Sequence, residues 1–387
     1  MRLLKSPAFL AVNLGHLGVD LLNGQTGVLL AALSLSLGLR NVELGLIATA
    51  YALTGALAQP VFGWLADRKG GGWLAAGGVL WMAVFFALYA VAPARWALAC
   101  LVAAALGSGA FHPPGTARAA QAGGQAATAA SIFFLFGQIG LSAGPALGGL
   151  ILEHGGRAGV LAVALAVAPI GLFSAWALRG PAAHAARSSA APARPAPAPQ
   201  VGLFVIILLI SGLRIWAQTV VTTFAPKFYL ELQWPASDSG AIVAVYMAGT
   251  ALGGLAGSAL ADRWSYTRTV LITQTLSILP FLLFPLAHGP AAYALAAAAG
   301  LFNGGPHSIL VTMAQRTLPG RAGFASGLIL GLTFALAALG TSLTGWLADQ
   351  FGLLAVLQVN AAIALAAALL SLLLFGPRRA AQPAAAD

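Results

Sequence analysis

One apolar stretch near the start of the chain carries four polar side chains at helical spacing. Asn13, His16, Asp20 and Asn23 follow one another every three or four residues, which places them on one face of a helix. An ionisable residue inside a membrane span is energetically expensive, so its presence there suggests a function. We therefore predict that Asp20 binds a proton with His16 as a relay, and that Asn23 contributes to a substrate site.

Arg214 is a second charged residue deep within an apolar segment. A charge at the centre of a bilayer costs at least about 2.5–3.5 kcal/mol, so Arg214 needs a partner or a water-filled cavity. Asp20 lies at a similar predicted depth, and the internal repeat described below nearly superposes the two residues. They are interpreted either as a permanent ion pair or as a switch, in which protonation of Asp20 frees Arg214 to bind an anionic substrate.

Two histidines occupy corresponding places in the two halves of the chain. His112 stands in the sequence Phe111-His112-Pro113-Pro114-Gly115, where the prolines predict an interruption of the helix and leave backbone carbonyls without their donors. His112 is interpreted either as a proton carrier or as a neutral histidine that bonds such a carbonyl. His307 has the same two interpretations, with the neutral one favoured, and is placed at the substrate site.

The composition identifies the class of protein. Hydrophobic residues make up 59% of the 387 positions and charged residues only 7%, which is too apolar for a soluble protein of this length. The net charge of +10 lies in short loops and does not indicate a nucleic-acid surface. The single cysteine, Cys100, excludes a disulfide within the chain. No nucleophile elbow, phosphate-binding loop or metal-ligand spacing is visible, so we expect neither an enzyme nor a metal or other cofactor.

Twelve segments are long and apolar enough to cross a hydrocarbon core of about 30 Å as helices. They span residues 8–38, 43–66, 73–92, 96–117, 126–153, 158–178, 201–230, 238–261, 269–288, 291–313, 324–349 and 353–375. A stretch rich in proline, alanine and arginine separates the sixth segment from the seventh. The sequence thus predicts an N-terminal six-helix bundle over 1–178, a linker over 179–200, and a C-terminal six-helix bundle over 201–387 with a short tail.

The distribution of Lys and Arg predicts the orientation in the membrane, because cytoplasmic loops carry an excess of both. Fourteen of them fall on the side of the N-terminus: Arg2, Lys5, Arg68, Lys69, Arg118, Arg179, Arg187, Arg194, Arg263, Arg268, Arg316, Arg321, Arg378 and Arg379. Four fall on the opposite side: Arg40, Arg95, Arg157 and Lys227. We therefore predict a multi-pass protein with both termini and the linker in the cytoplasm.

The two halves repeat one another. The stretch Gly63–Arg68 ends the second segment and Ser258–Arg263 ends the eighth, 195 positions later (258 minus 63). The same offset takes His112 to His307. Two parallel six-helix repeats with a substrate site between them describe the major facilitator architecture. The predicted fold class is therefore an all-α integral membrane protein with twelve transmembrane helices in two pseudo-twofold-related bundles.

The segment Gly63-x-x-x-Asp67-Arg68-Lys69-Gly70 resembles the signature that the major facilitator superfamily carries between its second and third helices. Asp67 and Arg68, with the repeated Asp262 and Arg263, are interpreted as a latch of the cytoplasmic gate that breaks and re-forms. The alternative is that these four residues are interfacial charges that follow the positive-inside rule.

A glycine-rich pattern marks the fifth segment. Gly140, Gly144, Pro145, Gly148 and Gly149 resemble the motif of proton-coupled drug antiporters in this superfamily. Small residues at this spacing also let two helix backbones pack closely, which is the alternative explanation. The resemblance implies export, whereas the close packing follows from the residues themselves.

A wider resemblance covers both halves. The stretch Gly107–Gly149, the residues His16 and Asp20, and the segment Ala314–Arg321 are similar to the fosmidomycin resistance protein family. The histidine–proline element is the most specific part of this resemblance. The family consists of bacterial inner-membrane exporters held to use the proton gradient, so the resemblance implies drug efflux, antibiotic resistance and the same location. Pro114 is a departure, since some members carry an acidic residue there.

We therefore expect a secondary active transporter whose partners are protons, a small-molecule substrate and the lipid bilayer, with no nucleic acid. The favoured function is proton-coupled antiport that exports small organic molecules or drugs by alternating access. The alternative is a proton symporter or facilitator for an organic anion, and a further alternative is a non-transporting sensor or a lipid translocase on the same scaffold. The fold implies a monomer. Trp216, Gln218 and Tyr246 are additional candidates for the substrate site beside Arg214, each with helix packing as the alternative.

Overall fold

The structure is a computed structural model that describes residues 6–120, 126–179, 198–318 and 322–375. These residues are helical almost throughout. The helices are α1 (Pro7–Ser36), α2 (Asn41–Lys69), α3 (Gly72–Val91), α4 (Ala94–Ala120), α5 (Ala126–Ala177), α6 (Val201–Glu231), α7 (Ala236–Arg263), α8 (Tyr266–Leu283), α9 (Pro290–Gly304), α10 (His307–Thr317), α11 (Ala322–Phe351) and α12 (Leu353–Leu372). One turn of 3-10 helix, Phe284–Leu286, extends α8.

Part of the predicted organisation falls outside the described residues. Residues 180–197 of the predicted linker belong to this part, as do seven of the charges used for orientation: Arg2, Lys5, Arg187, Arg194, Arg321, Arg378 and Arg379. The linker, the domain boundaries and the cytoplasmic termini therefore stay predictions.

Eleven helical stretches in the described ranges are long and apolar enough to cross a membrane. One of them, Thr128–Ala177, has 50 residues and would be about 75 Å long as a straight helix, more than twice the thickness of a hydrocarbon core. This helix breaks at Gly156, whose φ of 55° and ψ of −159° are not helical. We therefore describe α5 as two passes, 126–155 and 157–177, in agreement with the predicted fifth and sixth segments.

The fourth predicted segment stays helical through its prolines, so the predicted interruption is wrong. α4 includes both Pro113 and Pro114. The fixed φ of proline is compatible with a helix. Each proline removes one backbone N–H donor, and in a membrane protein packing against neighbouring helices can keep the helix continuous at that point. Phe111, just before the prolines, is fully buried and stacks with Phe133 of α5. This packing fixes α4 at the point where it is weakest.

The interruption lies in the second half of the chain instead. The predicted segment 291–313 consists of α9 and α10, which are separated by a turn at Gly305 and Pro306. Glycine weakens a helix, and the residue before a proline is disfavoured in one, so this pair of residues is a strong breaking sequence. His307 follows at once and begins α10. The two corresponding histidines therefore differ in setting, because His112 lies within a continuous helix.

Large apolar side chains cover the outside of the bundle. Leu57, Leu255 and Phe351 are among those that are exposed. An apolar surface of this extent is expected of helices that face lipid. Inside, close approaches between helices depend on glycine: an added Cβ at Gly45 of α2 would lie 2.8 Å from the carbonyl oxygen of Thr341 on α11.

Candidate functional site

Asp20 is the centre of a buried polar cluster that consists of His16, Asp20 and His112, here called the His–Asp–His cluster. The Nε2 atom of His16 lies 3.1 Å from one carboxylate oxygen of Asp20, and the Nε2 atom of His112 lies 3.4 Å from the other. α1 contributes His16 and Asp20 one helical turn apart, and α4 contributes His112. The structure therefore brings into contact the three residues that the sequence predicted for proton coupling.

Backbone carbonyl oxygens contact the Nδ1 atom of each imidazole ring, the nitrogen that does not face Asp20. The Nδ1 atom of His16 lies 2.7 Å from the carbonyl oxygen of Phe133 on α5, and that of His112 lies 2.8 Å from the carbonyl oxygen of Ser108, one turn earlier on α4. The Phe133 ring stacks on His16 with the ring centroids 4.0 Å apart. The two histidines differ in exposure, since the side chain of His112 is 25% exposed and that of His16 only 5%.

Asn23 ties the cluster to α2 and α4. Its amide nitrogen donates to a carboxylate oxygen of Asp20 at 2.9 Å and to the hydroxyl of Ser108 at 3.0 Å. The hydroxyl of Tyr51 on α2 donates to the amide oxygen of Asn23. Both amide hydrogens are in use, so the structure places Asn23, which the sequence assigned to the substrate site, as a bridge within the cluster.

The same three side chains meet the distance requirement of a metal site. The ligand atoms of His16, Asp20 and His112 lie within 4.8 Å of one another, and in the described ranges this is the group that could hold an ion. The sequence showed no metal-ligand spacing because the residues come from two helices, 92 positions apart (112 minus 20). Protons satisfy the same atoms without any metal, and an experiment that separates the two occupants is given below.

Arg214 and His307 form the corresponding pair in the second half. The Nη2 atom of Arg214 lies 2.9 Å from Nδ1 of His307. Arginine can only donate, so Nδ1 accepts and the imidazole is neutral with its hydrogen on Nε2. The guanidinium is 97% buried (3% exposed), and its Nε and Nη1 atoms have no hydrogen-bond partner among the described residues. No acidic residue there forms a salt bridge with it.

A narrow recess between α6, α10 and α11 leads to Arg214. The side chains that line it are Ser211, Arg214, Ile215, His307, Val311, Ile329, Thr333 and Phe334. The hydroxyl of Thr333 is also buried without a partner in the described part of the chain. The recess has room for about one water-sized group. The unpaired N–H groups and the hydroxyl are donors for which the oxygen atoms of a carboxylate or phosphonate are suitable acceptors, and a space this small holds one such oxygen rather than the whole group.

Other residues predicted at the substrate site take different positions. Tyr246 is fully buried, and its hydroxyl accepts a hydrogen bond from Asn303, whose amide also donates to the backbone carbonyl of Arg214. Tyr246 therefore reaches Arg214 through Asn303 and does not line the recess. Trp216 donates to a threonine of α11 at 2.9 Å. Gln218, one turn after Arg214, is half-buried.

The internal repeat extends to these contacts. In each half the histidine of the fourth or tenth pass contacts the ionisable residue of the first or seventh: His112 contacts Asp20, and His307 contacts Arg214. The pairing recurs with an acid in one half and a cation in the other, but His112 uses its Nε2 atom and His307 its Nδ1 atom. The structure does not bring Asp20 and Arg214 together, because each is bonded within its own half, so the permanent ion pair considered from the sequence is not formed.

The two halves are joined at the end that the charge distribution predicts to be external. The hydroxyl of Thr49 on α2 donates to the carbonyl oxygen of Ala338 on α11 at 2.7 Å. The ammonium group of Lys227 on α6 donates to the carbonyl oxygen of Leu39 at 3.0 Å. Within the described ranges, α4 and α10, which carry the two histidines, make no extensive contact with each other. The arrangement is therefore closed on the predicted external side and open on the predicted cytoplasmic side.

Two acidic residues that the sequence did not single out close this external gate. The carboxylate of Asp349, at the end of α11, accepts from the backbone N–H groups of Asn41 at 2.7 Å and Val42 at 3.0 Å, at the start of α2. Glu153 of α5 accepts from the backbone N–H of Ser237 at 2.9 Å, at the start of α7. Helix N-termini attract anions. We call Asp349 and Glu153 the two carboxylate caps; they are 196 positions apart (349 minus 153), so the repeat makes the contact twice.

The glycine-rich pattern of α5 packs against both halves. Gly140, Gly144 and Gly148 face α1, where an added Cβ would come within 2.5–2.7 Å of neighbouring atoms. Pro145 and Gly149 lie against the first turns of α7, in the other half. The close packing that the residues themselves predicted is present, and it joins the helix that carries Asp20 to the contact between the halves.

The four charges predicted to form a cytoplasmic latch are unpaired in this conformation. Asp67, Arg68, Asp262 and Arg263 are exposed, and none of them forms a salt bridge within the described residues. Arg68 instead lies over the ring of Trp64, 4.3 Å from its centroid. An open latch is compatible with an arrangement that is open on this side, and the latch itself stays a prediction.

Helical bundles that close at one end, with ionisable groups buried in each half, are typical of a membrane transporter. The sequence model of the Major Facilitator Superfamily matches residues 10–211 and 206–387. The chain therefore belongs to the Major Facilitator Superfamily, as the sequence predicted. It is similar to the fosmidomycin resistance protein of Escherichia coli (strain K12), with 29% identity over 366 residues that cover 91% of this chain and 88% of that protein. The predicted family resemblance is thus confirmed.

Two further comparisons agree with this assignment. The uncharacterized MFS-type transporter YfnC of Bacillus subtilis (strain 168) is 28% identical over 360 residues, which cover 90% of this chain and 88% of that protein. A solved structure of a bacterial homolog of the human lysosomal transporter Spinster, in an inward-facing and occupied conformation, has a TM-score of 0.79. The match covers 95% of this chain and 96% of that one at 16% identity, so it shows the fold alone.

Removing a carboxylate cap is expected to loosen the external gate. Asp349→Ala leaves two backbone N–H groups of α2 without their acceptor, and the loss of a helix cap costs about 0.5–2 kcal/mol. The population with the gate open should rise by about 2- to 30-fold. Spin labels at Ser36 and Leu354, on the external ends of the two halves in a Cys100→Ala background, should show more long distances. Arg95→Ala, at an exposed position on the same predicted side, serves as the control, and an unchanged distance distribution in Asp349→Ala would show that the cap does not hold the gate.

Proposed function

We propose that the protein is a proton-coupled antiporter that exports small organic molecules, drugs among them, by alternating access. The observation that carries the proposal is the His–Asp–His cluster, in which one buried carboxylate contacts two histidines. Histidine exchanges protons near neutral pH, and ionisable groups inside membrane spans mark coupling-ion pathways. Similarity over 91% of the chain to a protein named for fosmidomycin resistance supports export.

The transport cycle rests on competition between protons and substrate. In the conformation open to the cytoplasm, substrate binds after the His–Asp–His cluster has released its protons. The halves then rock, the external gate opens and the substrate leaves. Protons from the external side reload the His–Asp–His cluster, and the loaded cluster permits the return. Because protons and substrate are carried on different half-cycles, proton entry drives substrate export.

α5 supplies a mechanical link between the cluster and the gate. Gly137 lies against the cluster, since an added Cβ there would be 2.8 Å from the carboxylate of Asp20. Gly144 rests on α1, and Gly149 rests on α7 in the other half. A change in the charge or position of Asp20 therefore acts on the same helix that holds the halves together. In this proposal α1 and α7 slide along α5 at its antiporter-like glycine pattern.

The proposal places the protein in a bacterial cytoplasmic membrane, with both termini in the cytoplasm and a monomer as the working unit. Fourteen Lys and Arg residues on one side against four on the other support the orientation. The two bacterial relatives support the location.

A proton symporter or facilitator for an organic anion is the second candidate function. Arg214 favours it, because it lines the recess and has buried N–H groups for which an anionic group would be a suitable acceptor. An anion site of this kind serves import and export equally well. The two functions therefore differ only in whether protons and substrate move in opposite directions or in the same one.

Proteoliposomes with an imposed pH gradient separate antiport from symport. Fosmidomycin serves as the probe, and protein-free liposomes correct for its passive distribution. With an acidic lumen, protons leave the vesicle and an antiporter accumulates the probe inside; with an acidic exterior, a symporter does so. We expect accumulation only with the acidic lumen, and its loss when a protonophore collapses the gradient. Accumulation only with an acidic exterior would replace antiport by symport.

A further inference from the structure

The hydrogen bonds of the His–Asp–His cluster determine how many protons it holds. We propose that in this conformation the cluster binds two protons, and that antiport exchanges two protons for each substrate molecule. The exchange of two protons per substrate molecule rests on the proposed function, whereas the binding of two protons by the cluster concerns only the folded protein.

Each imidazole ring already uses one hydrogen in a bond to a backbone carbonyl. The Nδ1 atoms of His16 and His112 lie 2.7 and 2.8 Å from backbone carbonyl oxygens. A carbonyl oxygen accepts hydrogen bonds and cannot donate, so each Nδ1 must carry a hydrogen. The hydroxyl of Ser108 also lies 3.3 Å from Nδ1 of His112, but the carbonyl oxygen at 2.8 Å is the shorter contact and requires the hydrogen on the ring. A neutral imidazole has only one N–H group. If either ring were neutral, its Nε2 atom would present a bare lone pair.

The other nitrogen of each ring contacts the carboxylate. Nε2 of His16 and Nε2 of His112 each face a different oxygen of Asp20, at 3.1 and 3.4 Å. Two facing lone pairs repel, so each contact needs a hydrogen on the nitrogen or on the oxygen. Two contacts therefore require two protons beyond the one that each neutral ring already carries. Two imidazolium rings around an ionised carboxylate give the most favourable charge arrangement, because opposite charges then lie adjacent on both sides.

The remaining donors around Asp20 agree with an ionised carboxylate. The oxygen that faces His112 also accepts a hydrogen bond from the amide of Asn23 at 2.9 Å. An ionised carboxylate oxygen has lone pairs for two such donors. Tyr51 of α2 is the other titratable group near the cluster, and its hydroxyl hydrogen is directed to Asn23.

No other charged group contributes to the proton count within the described residues. α3 and the stretch 126–152 of α5, which pack around α1 and α4, contain no Asp, Glu, Lys or Arg. α6, which also packs on α1, carries three charged residues that bond elsewhere: Arg214 to His307, Lys227 to the backbone of Leu39, and Glu231 to Lys227. α5 faces the cluster with Phe133 and Gly137. On α4, Arg95 lies in the first turn, and Arg118, six residues after His112 (118 minus 112), donates to the backbone carbonyl of Leu178. The charged residues of α2 lie at least eight residues from Tyr51 (51 minus 43). The two protons therefore belong to the three members of the cluster.

The exposure of the two rings sets the order of release. His112 is 25% exposed and belongs to α4, whereas His16 is 5% exposed and shares α1 with Asp20. When one proton leaves, one of the two Nε2 contacts loses its hydrogen and becomes repulsive. The exposed ring on the separate helix can move away, so His112 releases the first proton and its contact with Asp20 opens. The packing of α4 on α1 thus depends on the first of the two protons.

Nitrogen NMR of histidine-labelled protein tests the proton count without any transport. The chain has six histidines, which substitutions to glutamine assign. At pH 7 we expect His16 and His112 as imidazolium rings, and His307, whose Nδ1 accepts from Arg214, as a neutral ring with its hydrogen on Nε2. In Asp20→Asn the amide supplies one hydrogen itself, so one of the two rings should become neutral.

Two results would overturn the count. The first is a total of fewer than two extra protons on the cluster. A protonated carboxyl of Asp20 counts as one of these protons, and it is recognised by an infrared band that disappears in Asp20→Asn. The second is a divalent metal bound in a one-to-one ratio to the purified protein. Either result would remove the basis for two-proton exchange.

Equilibrium gradients in proteoliposomes test the stoichiometry. With the membrane potential clamped at zero, a difference of one pH unit balances a probe gradient of about 100-fold for two protons and about 10-fold for one. We expect two for the unaltered protein and for the control His154→Gln, and one for His112→Gln. A value of one for the unaltered protein, beside an NMR count of two, would overturn two-proton coupling. Transport that ignores the pH gradient altogether would instead refute the proposed function.

Discussion

Replacing Asp20 by asparagine is expected to abolish gradient-driven transport while the protein stays folded. Asparagine has nearly the same shape, and its amide can donate to one histidine and accept from the other, so the contacts at 3.1 and 3.4 Å can persist. The amide carries no negative charge, so it cannot hold the protons that the ionised carboxylate binds together with the two histidines. Net transport should therefore fall by at least about 100-fold, which corresponds to about 2.7 kcal/mol.

Exchange of labelled for unlabelled fosmidomycin at equal pH distinguishes loss of coupling from loss of binding. Exchange needs only the substrate-loaded half of the cycle, so we expect Asp20→Asn to retain it. Asp238→Asn provides a matched control, because Asp238 accepts from the hydroxyl of Tyr293 far from the cluster and asparagine keeps that acceptor. Uphill transport at the normal rate in Asp20→Asn would show that Asp20 is not the coupling site.

The fold could be predicted because its signals are periodic along the chain. Apolar runs of helix length gave segments such as 43–66, which the structure forms as α2 (Asn41–Lys69). The offset of 195 residues revealed the repeat, and it also relates Tyr51 to Tyr246 (246 minus 51), each of which bonds an asparagine beside the ionisable pair of its half. The prolines of α4 were misjudged because their effect depends on packing against other helices, which no local pattern reports.

The members of the candidate site could be predicted in part. His16, Asp20 and His112 stood out because polar residues in apolar helices are rare. A permanent ion pair of Asp20 with Arg214 was one interpretation, based on their similar depth and near-correspondence in the repeat, yet neither brings two residues together when each has a histidine partner in its own half. Depth and repeat position do not determine the distance between two side chains in the folded protein.

The carboxylate caps could not be found from local sequence. Glu153 and Asp349 stand near the ends of helices, where acidic residues are common, and their partners are 84 and 308 positions away. One available signal was the repeat: the offset of 196 residues takes Glu153 to Asp349 and Asn41 to Ser237. A charged residue preserved in both halves beside a helix start is the pattern that would have indicated a gate.

Arg214 is the second position at which a large effect is expected. Its Nε and Nη1 atoms and the hydroxyl of Thr333 are buried without partners in the described part of the chain, and a bound anion would supply the missing acceptors. A hydrogen bond to a charged group is worth about 1.5–3 kcal/mol. Arg214→Gln should therefore weaken the binding of fosmidomycin, a phosphonate, by about 10- to 150-fold in calorimetry of the purified protein.

Stability decides whether Arg214 serves binding or structure. A buried charge without an acidic partner destabilises the fold, so its removal should leave the melting temperature unchanged or raise it. Arg157→Gln provides the contrast, because Arg157 donates to the backbone carbonyl of Tyr89 at 3.1 Å and its loss should lower the melting temperature without affecting binding. Asp20→Asn should keep the binding that Arg214→Gln loses. If Arg214→Gln instead lowers the melting temperature and binds fosmidomycin normally, Arg214 is a structural residue and the substrate is recognised elsewhere.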